Sequence, residues 1–318
     1  MQDIWEPLTQ DSVLNTVEAI INEKLSNLFL QRNSYINRVY ELKKASGERI
    51  IAKFYRPGRW TKKLIQVEHD FLKKLSSIEL NVIVPSTYGG QSVFEYEDIY
   101  LAIFPYKGGR ALDEFDKDSW QEVGRLLGRM HNIGSTFHNS ERIKWEPKIA
   151  TQKSVDYLIN NNHLPADYVQ SFQNILNVFF QRTTNTFNNE SLFLIHGDCH
   201  KGNLIHRPGE GTFIIDFDDI CIGPAVQDIW MLLPDEPEKS EQEISWFLSG
   251  YEVFRPFNRN SFDLVPVLKI MRMIHFAAWC AMQKHDKYFE DHFPDWGTTR
   301  YWNSLIKDIQ SLAYNIQI

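Results

Sequence analysis

The spacing of hydrophobic and polar positions divides the chain into a first part with helix and strand patterns and a second part that is mostly helical. Residues 11–28 carry apolar side chains at helical spacing, which predicts a first helix. Two β-prone runs at 38–42 and 49–55 are joined by a polar turn and predict a hairpin. A helical pattern over 61–75 and a buried strand at 99–104 complete this first part.

The segment 105–109, Pro-Tyr-Lys-Gly-Gly, is the best candidate for a hinge. Helical patterns beyond it cover 119–137, 151–161, 166–183, 241–255, 262–285 and 298–315. A β-like island at 192–220 interrupts them. We therefore expect an α+β, bilobal fold with a β-rich N-terminal lobe over 1–104, the hinge, and a helical C-terminal lobe over 110–318. Because ligand sites favour clefts between domains, the hinge region is where we expect a ligand.

Composition and charge exclude some classes of protein. Hydrophobic residues make up 43% of the 318 positions and charged residues 24%, close to the average of soluble globular proteins. A net charge of −7 argues against a broad nucleic-acid surface, because phosphate backbones demand a basic one. No uninterrupted apolar run reaches the roughly 18 residues that span a bilayer, and the first residues carry no export signal. We expect no nucleic-acid or membrane partner, and a monomer.

The cysteines indicate a reducing compartment. Cys199, Cys221 and Cys280 are an odd, widely spaced set without a CxxC pair. This pattern is typical of reduced thiols and not of a disulfide framework, so we expect a cytoplasmic location.

The sequence LIHGDCHKGNLI, residues 194–205, concentrates possible ligands, nucleophiles and bases in one short stretch. A zinc site would use His196, Cys199 and His200, but two of these are adjacent and point opposite ways in an extended chain, and a second half-site is missing. A cysteine nucleophile needs a base placed in space, which a neighbouring histidine in sequence does not supply. Both interpretations are therefore disfavoured.

A third interpretation, phosphoryl transfer, uses more of the polar residues. It needs a carboxylate to accept the proton of the acceptor hydroxyl, and an amide and a carboxylate to hold Mg²⁺ against nucleotide phosphates. A catalytic loop at 196–203 would supply Asp198 as the base and Asn203 as a metal ligand. The next strand ends in an acidic segment, 213–219, where Asp216 would be the second metal ligand.

A cation for the phosphates is predicted in the first part of the chain. Lys53 lies in the middle of an apolar strand, where a charge is unusual unless that face lines a site. Glu68 falls on the apolar stripe of the following helix, and a buried carboxylate generally has a partner. We predict a Lys53–Glu68 ion pair that positions the phosphates, although an edge-strand lysine in solvent is the simpler alternative for Lys53 alone.

Taken together, Lys53, Glu68, the HGDCHKGN run and the IDFDD run resemble the protein-kinase-like fold. The HGDxHxGN form is similar to the aminoglycoside phosphotransferase and choline kinase branch. Within that branch, HGDCHKGN and the GPAVQDIWMLLP run (223–234) resemble the bacterial stress response kinase A family. The resemblance covers nearly the whole chain. It implies a cytoplasmic kinase, dependent on ATP and Mg²⁺, that phosphorylates Ser/Thr hydroxyls of proteins in a stress response.

The chain departs from protein kinases at the phosphate-binding turn. In place of a Gly-rich loop it has Asn-Ser-Tyr-Ile-Asn at 33–37. We expect backbone N–H groups there to hold the phosphates, helped by Ser34 and Asn37. The resemblance further implies that the backbone at Phe104 and Tyr106 faces adenine.

The remaining polar residues have less certain roles. We expect His196 to bond the loop backbone and Asp228 to brace the catalytic loop. The roles of His200, Lys201 and Asp218 stay open.

Three classes of function remain: a protein Ser/Thr kinase, a small-molecule kinase of the same fold, and a silent nucleotide-binding module. The last is disfavoured because every chemical position is filled. A small-molecule kinase for aminoglycosides, choline or a homoserine-like alcohol is the main alternative, and function has to be argued from the site. An acidic surface for a cationic acceptor could come from Glu236, Glu238, Glu241, Glu243, Asp286, Glu290, Asp291 and Asp295.

Overall fold

The structure is a computed structural model of the chain. It describes residues 4–112, 114–138, 141–183, 186–187 and 190–316. The predicted α+β fold is confirmed, with an antiparallel sheet in the first third and a mainly helical remainder.

One five-stranded antiparallel sheet, in the order β1-β2-β3-β5-β4, forms the first third of the structure. Its strands are β1 (Leu25–Arg32), β2 (Arg38–Lys44), β3 (Arg49–Phe54), β4 (Phe94–Tyr96) and β5 (Ile99–Pro105). The predicted hairpin is β2–β3, and its register places Lys53 opposite Val39 on one side and Ala102 on the other. Lys53 is thus on a central strand, not on an edge.

The first helix is shorter than its periodicity predicts. Helix α1 spans Gln10–Ile21 and not 11–28, because Asn22 takes a left-handed conformation (φ 53°) that ends it. The chain then enters β1 at Leu25. The apolar residues of 25–28 therefore belong to a strand, and short apolar runs do not distinguish the two by periodicity alone.

Helix α2 spans Lys62–Ser76 and packs one face inward. Thr61 caps its N-terminus, where the hydroxyl accepts the N–H of Leu64 at 3.3 Å. The buried face includes Ile65, Glu68 and Phe71, so the carboxylate of Glu68 is inside the protein, as predicted.

The rest of the chain is built from helices around two small sheets. Strand β6 (Arg110–Ala111) pairs with β8 (Leu204–Arg207), which pairs with β9 (Gly211–Ile214), and β7 (Leu192–Ile195) pairs with β10 (Cys221–Pro224). The helices are α3 (Lys117–Gly134), α4 (Gln152–Asn160), α5 (Ala166–Thr183), α6 (Gln227–Trp230), α7 (Glu241–Tyr251), α8 (Val265–Gln283), α9 (Phe289–His292) and α10 (Thr299–Asn315).

Glycines let α3 approach its neighbours closely. A Cβ at Gly124 would lie 2.1 Å from the carbonyl oxygen of Phe247 on α7. A Cβ at Gly134 would lie 1.9 Å from the carbonyl oxygen of Leu194 on β7. Since real Cβ contacts never come this close, both positions require glycine, and α3 fixes the strand that leads into the catalytic loop.

Helix α8 lies in the hydrophobic core formed with α4, α5 and α10. The stretch Arg259–Gln283 is long and apolar enough to cross a membrane by length and composition, with a mean hydropathy of 1.4 over its most apolar window. The fold buries 61% of this apolar segment, and a buried core helix meets the same criteria of length and composition. Arg272 interrupts this apolar helix, and its side chain emerges at the site described next.

Candidate active site

The catalytic loop at 196–203 is held by Asp228, whose side chain is fully buried. Its Oδ2 accepts the backbone N–H of His196 at 2.8 Å, and its Oδ1 accepts the backbone N–H of Gly197 at 2.7 Å. Oδ2 also lies 3.0 Å from Nε2 of His131 on α3. The bracing role predicted for Asp228 is confirmed.

His196 ties the loop to the end of the next hairpin. Its Nε2 lies 3.0 Å from the carbonyl oxygen of Ile215, and its Nδ1 lies 3.3 Å from the backbone nitrogen of Asp198. The ring is fully buried against Phe217. Every one of these contacts is to backbone or core, so the predicted structural role of His196 is confirmed.

Asn203 and Asp216 are brought together by backbone pairing. The N–H of Ile215 donates to the carbonyl oxygen of Asn203 at 3.0 Å, which sets the two segments side by side. The side-chain Nδ2 of Asn203 donates to the backbone oxygen of Asp198 at 2.9 Å. This bond orients the amide so that its NH₂ group donates to the loop and its Oδ1 stays available as a metal ligand.

Asp216 sits where β9 gives way to a tight turn, in a left-handed conformation (φ 62°) that few non-glycine residues adopt. The ammonium of Lys53 lowers the pKa of Asp216, but partial desolvation and the carboxylate of Asp218 outweigh it, so the pKa is raised overall. A carboxylate in this position is stabilised by further positive charge. The oxygen donors of Asn203 and Asp216 are those that Mg²⁺ prefers, so the donor set fits the ion.

Lys53 pairs with aspartates and not with Glu68. Its Nζ lies 3.0 Å from Oδ1 of Asp216 and also bonds Oδ1 of Asp218. The predicted Lys53–Glu68 ion pair is wrong, because two acids from the distant hairpin lie closer to the ammonium. Sequence reasoning within the first part of the chain could not include them.

Glu68 is buried, with 1% of its surface exposed, and its Oε2 has no hydrogen-bond partner among the described residues. Burial raises the pKa of Glu68 to about 8, and the charge of Asp218 adds to this, although Lys53 and Arg142 act in the opposite direction. The group is therefore mainly protonated at neutral pH, which is how a carboxyl tolerates such a position.

Asp218, whose role the sequence leaves open, is the centre of this network. It is 2% exposed and interacts with Lys53, Asn37 and Arg59. Burial alone would raise its pKa, but the charges of Lys53 and Arg59 and the bonds from Lys53 and Asn37 together lower it. Asp218 is therefore an ionised anchor for cations of the first part of the chain.

Asn37 has a different role from the one predicted. Its Nδ2 donates to Oδ2 of Asp218 at 2.7 Å, and its Oδ1 accepts the backbone N–H of Arg56 at 3.1 Å. Both ends of the amide are used, so the prediction that this side chain holds phosphates is wrong for this conformation. Asn37 instead fixes the turn 33–37 to the acidic hairpin.

The other predicted nucleotide contacts stay predictions. The hydroxyl of Ser34 accepts the backbone N–H of Asn37 at 3.4 Å, and Ser34 lines a cavity of about 180 Å³ beside this turn. Phe104 is the residue before the last of β5, in register with Ile51. The N–H of Tyr106 donates to the carbonyl oxygen of Arg49 at 3.2 Å, so this N–H is not available to adenine.

Asp198 carries a partner that the sequence analysis missed. Nη1 of Arg272 donates to its Oδ1 at 2.7 Å, and Nε2 of His200 lies 3.6 Å from its Oδ2. Burial would raise the pKa of Asp198, but the hydrogen bond with His200 and the charge of Arg272 hold it far below its usual range. The feature of the sequence that could have indicated this partner is Arg272 itself, a charged residue within the apolar run VPVLKIMRMIHFAAWC, 74 positions after Asp198.

The two disfavoured chemistries of the loop have no support in the geometry. Cys199 is fully buried, and burial raises the pKa of its thiol, the opposite of an activated nucleophile. Within the described ranges, no three side chains of His, Cys, Asp and Glu converge as a metal cluster would require.

Further ion pairs connect the first part of the chain to the second. Arg56 forms two bonds with Asp286 after α8, at 2.8 and 2.6 Å, and the hydroxyl of Tyr35 lies 3.4 Å from the same carboxylate. Arg59 pairs with Asp219 at 2.7 Å. These contacts set Lys53 opposite the catalytic loop.

A five-stranded sheet with an inward lysine, facing a loop that carries Asp198 and Asn203 and a strand end that carries Asp216, defines a phosphotransferase of the kinase fold. The model of the phosphotransferase enzyme family matches residues 30–258. Stress response kinase A of Escherichia coli (strain K12) is 33% identical over 278 residues, which are 85% of this chain and 82% of that protein. The serine/threonine protein kinase RdoA of Salmonella typhimurium is 31% identical over the same shares. The chain belongs to the phosphotransferase enzyme family and, within it, to the relatives of stress response kinase A.

Solved structures share the fold. Amicoumacin kinase hAmiN in complex with AMP-PNP, Ca²⁺ and Ami superposes with a TM-score of 0.76 at 18% identity, covering 98% of this chain and 95% of that chain. Choline kinase LicA from Streptococcus pneumoniae gives 0.65 at 20% identity, covering 94% and 99%. At these identities, the likeness extends to the fold and not to the acceptor.

Proposed function

We propose that this kinase uses ATP and Mg²⁺ to phosphorylate serine or threonine hydroxyls of proteins in a bacterial stress response. One observation carries the proposal: the Lys53 ammonium bonds Asp216, the segment of Asp216 pairs with Asn203 through the backbone of Ile215, and the Asn203 amide bonds the loop at Asp198. The names of the relatives at 31–33% identity support a stress response and a protein acceptor. The cytoplasmic location and the monomeric state remain predictions.

The chemistry of each residue follows from its position. Asp198 is the base that accepts the proton of the acceptor hydroxyl. Asn203 and Asp216 would hold Mg²⁺, which when bound neutralises and aligns the phosphate oxygens. Lys53, which is paired with Asp216 and Asp218, is the cation that would bind a nucleotide phosphate.

A small-molecule kinase is the second candidate, since the solved structures named above act on small molecules. Two of the eight acids that could attract a cationic acceptor are paired with cations of this chain. Asp286 pairs with Arg56, and Glu236 pairs with Lys269. These two pairs leave less acidic surface for a cationic acceptor such as an aminoglycoside or choline.

The test is transfer of labelled γ-phosphate from ATP, in the presence of Mg²⁺, to the protein itself or to a generic basic protein. Asp198→Asn is expected to lower the rate by roughly 10²- to 10⁴-fold, the usual contribution of a general base. Nucleotide affinity and the unfolding midpoint should stay near those of the wild type. The exposed Asp235→Asn is the matched control and should be fully active. Unchanged activity of Asp198→Asn would refute the mechanism.

A further inference from the structure

The side chains of Arg272 and His200 lie against the carboxylate of Asp198. Arg272 contacts Oδ1 and His200 lies near Oδ2, and both side chains are about two-fifths exposed, at 42% and 41%. The acceptor hydroxyl has to reach this same carboxylate. Any acceptor therefore meets a guanidinium as it approaches the base.

The guanidinium of Arg272 has donors to spare. Among the hydrogen bonds of the described residues, it makes one, from Nη1 to Asp198. The planar fork of arginine carries five N–H donors and matches a carboxylate or phosphate with two parallel bonds. Its partial exposure leaves the remaining donors open to the side from which an acceptor comes.

The acids around this point are engaged with cations from the first part of the chain. Asp219 pairs with Arg59, and Asp218 is held by Lys53. Since Arg272 is itself paired with Asp198, and Asp216 adds a further carboxylate, the site carries no excess of positive charge, and what Arg272 offers an acceptor is its open donors. A cationic acceptor would be repelled by Arg272, whereas an anionic one would gain a bidentate partner.

We propose that Arg272 selects an acceptor hydroxyl that lies beside an anionic group, which in a protein is a serine or threonine with an acidic residue close by. The acidic residue lies within about two positions of the hydroxyl, because an extended chain advances roughly 3.3 Å per residue. This inference rests on the proposed function for the protein acceptor. The preference for negative charge rests on Arg272 itself.

The test uses three serine peptides that differ only at the residue directly before the serine and the residue directly after it. Both of these residues are Asp in the first peptide, Asn in the second and Lys in the third. The wild type should phosphorylate the Asp peptide best. Arg272→Gln should lower kcat/KM for that peptide by roughly tenfold to a hundredfold, mainly through KM, which is the loss typical of a charge-assisted hydrogen bond. The loss with the Asn peptide should be clearly smaller, because it reflects only the lost contact between Arg272 and Asp198. Arg272→Glu should reverse the order and favour the Lys peptide.

The matched control is Lys269→Gln. This variant removes a cation one turn earlier on α8, where Lys269 pairs with Glu236, and it should leave the peptide preference unchanged. The unfolding midpoint of each variant shows whether the fold is intact. An equal loss with all three peptides would overturn the inference, since Arg272 would then act only by holding Asp198.

Failure of the proposed function gives a different result. If the wild type labels no peptide but labels small alcohols, the acceptor class is wrong, and the same variants are compared with glycerate and choline. Preference for glycerate that Arg272→Glu reverses would keep the inference. Preference for choline in the wild type would overturn it.

Discussion

Replacement of Asp228 by asparagine is expected to damage both stability and catalysis. The carboxylate is fully buried and accepts two backbone N–H groups of the catalytic loop, from His196 and Gly197, at 2.8 and 2.7 Å. An asparagine offers one oxygen and turns its NH₂ group toward a second donor. One buried N–H is then left without an acceptor.

The size of the loss follows from those contacts. A buried donor left unsatisfied costs about 1–3 kcal/mol, and a charge-assisted bond that becomes neutral loses about 1 kcal/mol more. Together these predict that Asp228→Asn lowers the free energy of unfolding by about 2–4 kcal/mol. A shift of the loop by even 1 Å would move Asp198 and cost on the order of 10²-fold in kcat.

Urea unfolding and steady-state kinetics measure the two effects separately. The exposed Asp235→Asn is the control and should change the free energy of unfolding by less than about 0.5 kcal/mol. The reasoning would be refuted if Asp228→Asn unfolded at the same urea concentration as the wild type and kept its kcat. A loss of stability with full kcat would show that Asp228 supports the core but not the loop.

Three other variants test separate parts of the structure. The pKa of Glu68 is raised from 4.5 to about 8 in the folded protein, so the stability that its protonation contributes is full below pH 4.5 and is lost as the pH rises through 8. Glu68→Gln should therefore flatten the pH dependence of the free energy of unfolding in urea. Parallel curves for the variant and the wild type would contradict this. Gly124→Ala places a Cβ 2.1 Å from the carbonyl oxygen of Phe247 and should lower the free energy of unfolding by about 1–3 kcal/mol. An unchanged melting temperature would mean that α3 and α7 separate easily. A double-mutant cycle of Arg56→Gln and Asp286→Asn should give a coupling of about 0.5–3 kcal/mol, and a value near zero would show that this contact does not join the two parts.

The features predicted correctly from the sequence are those that depend on residue spacing within one segment and on the chemistry of its side chains. Asp198 and Asn203 share one loop, and the strand before Asp216 brings that segment beside Asn203, as expected. The helical stripe of α2 places Glu68 inside, as predicted. The bracing carboxylate of Asp228 is also found where the sequence suggests it.

The missed features all depend on contacts between distant segments. Lys53 has three nearby acids, and only the folded structure shows that Asp216 and Asp218 lie closer than Glu68. Arg272 reaches Asp198 across 74 positions from a helix that otherwise reads as core. Local periodicity contains no information about which of several compatible partners a buried charge meets, so such pairs have to be read from the fold.

The most direct test of the central claim is the fate of γ-labelled phosphate in one competition. The purified protein is incubated with ATP, Mg²⁺, the Asp-flanked serine peptide, a generic basic protein, an aminoglycoside and choline, and the labelled products are separated and hydrolysed. We predict label on phosphoserine or phosphothreonine with the wild type and none with Asp198→Asn. Label found only on the aminoglycoside or choline would contradict the claim of a protein acceptor.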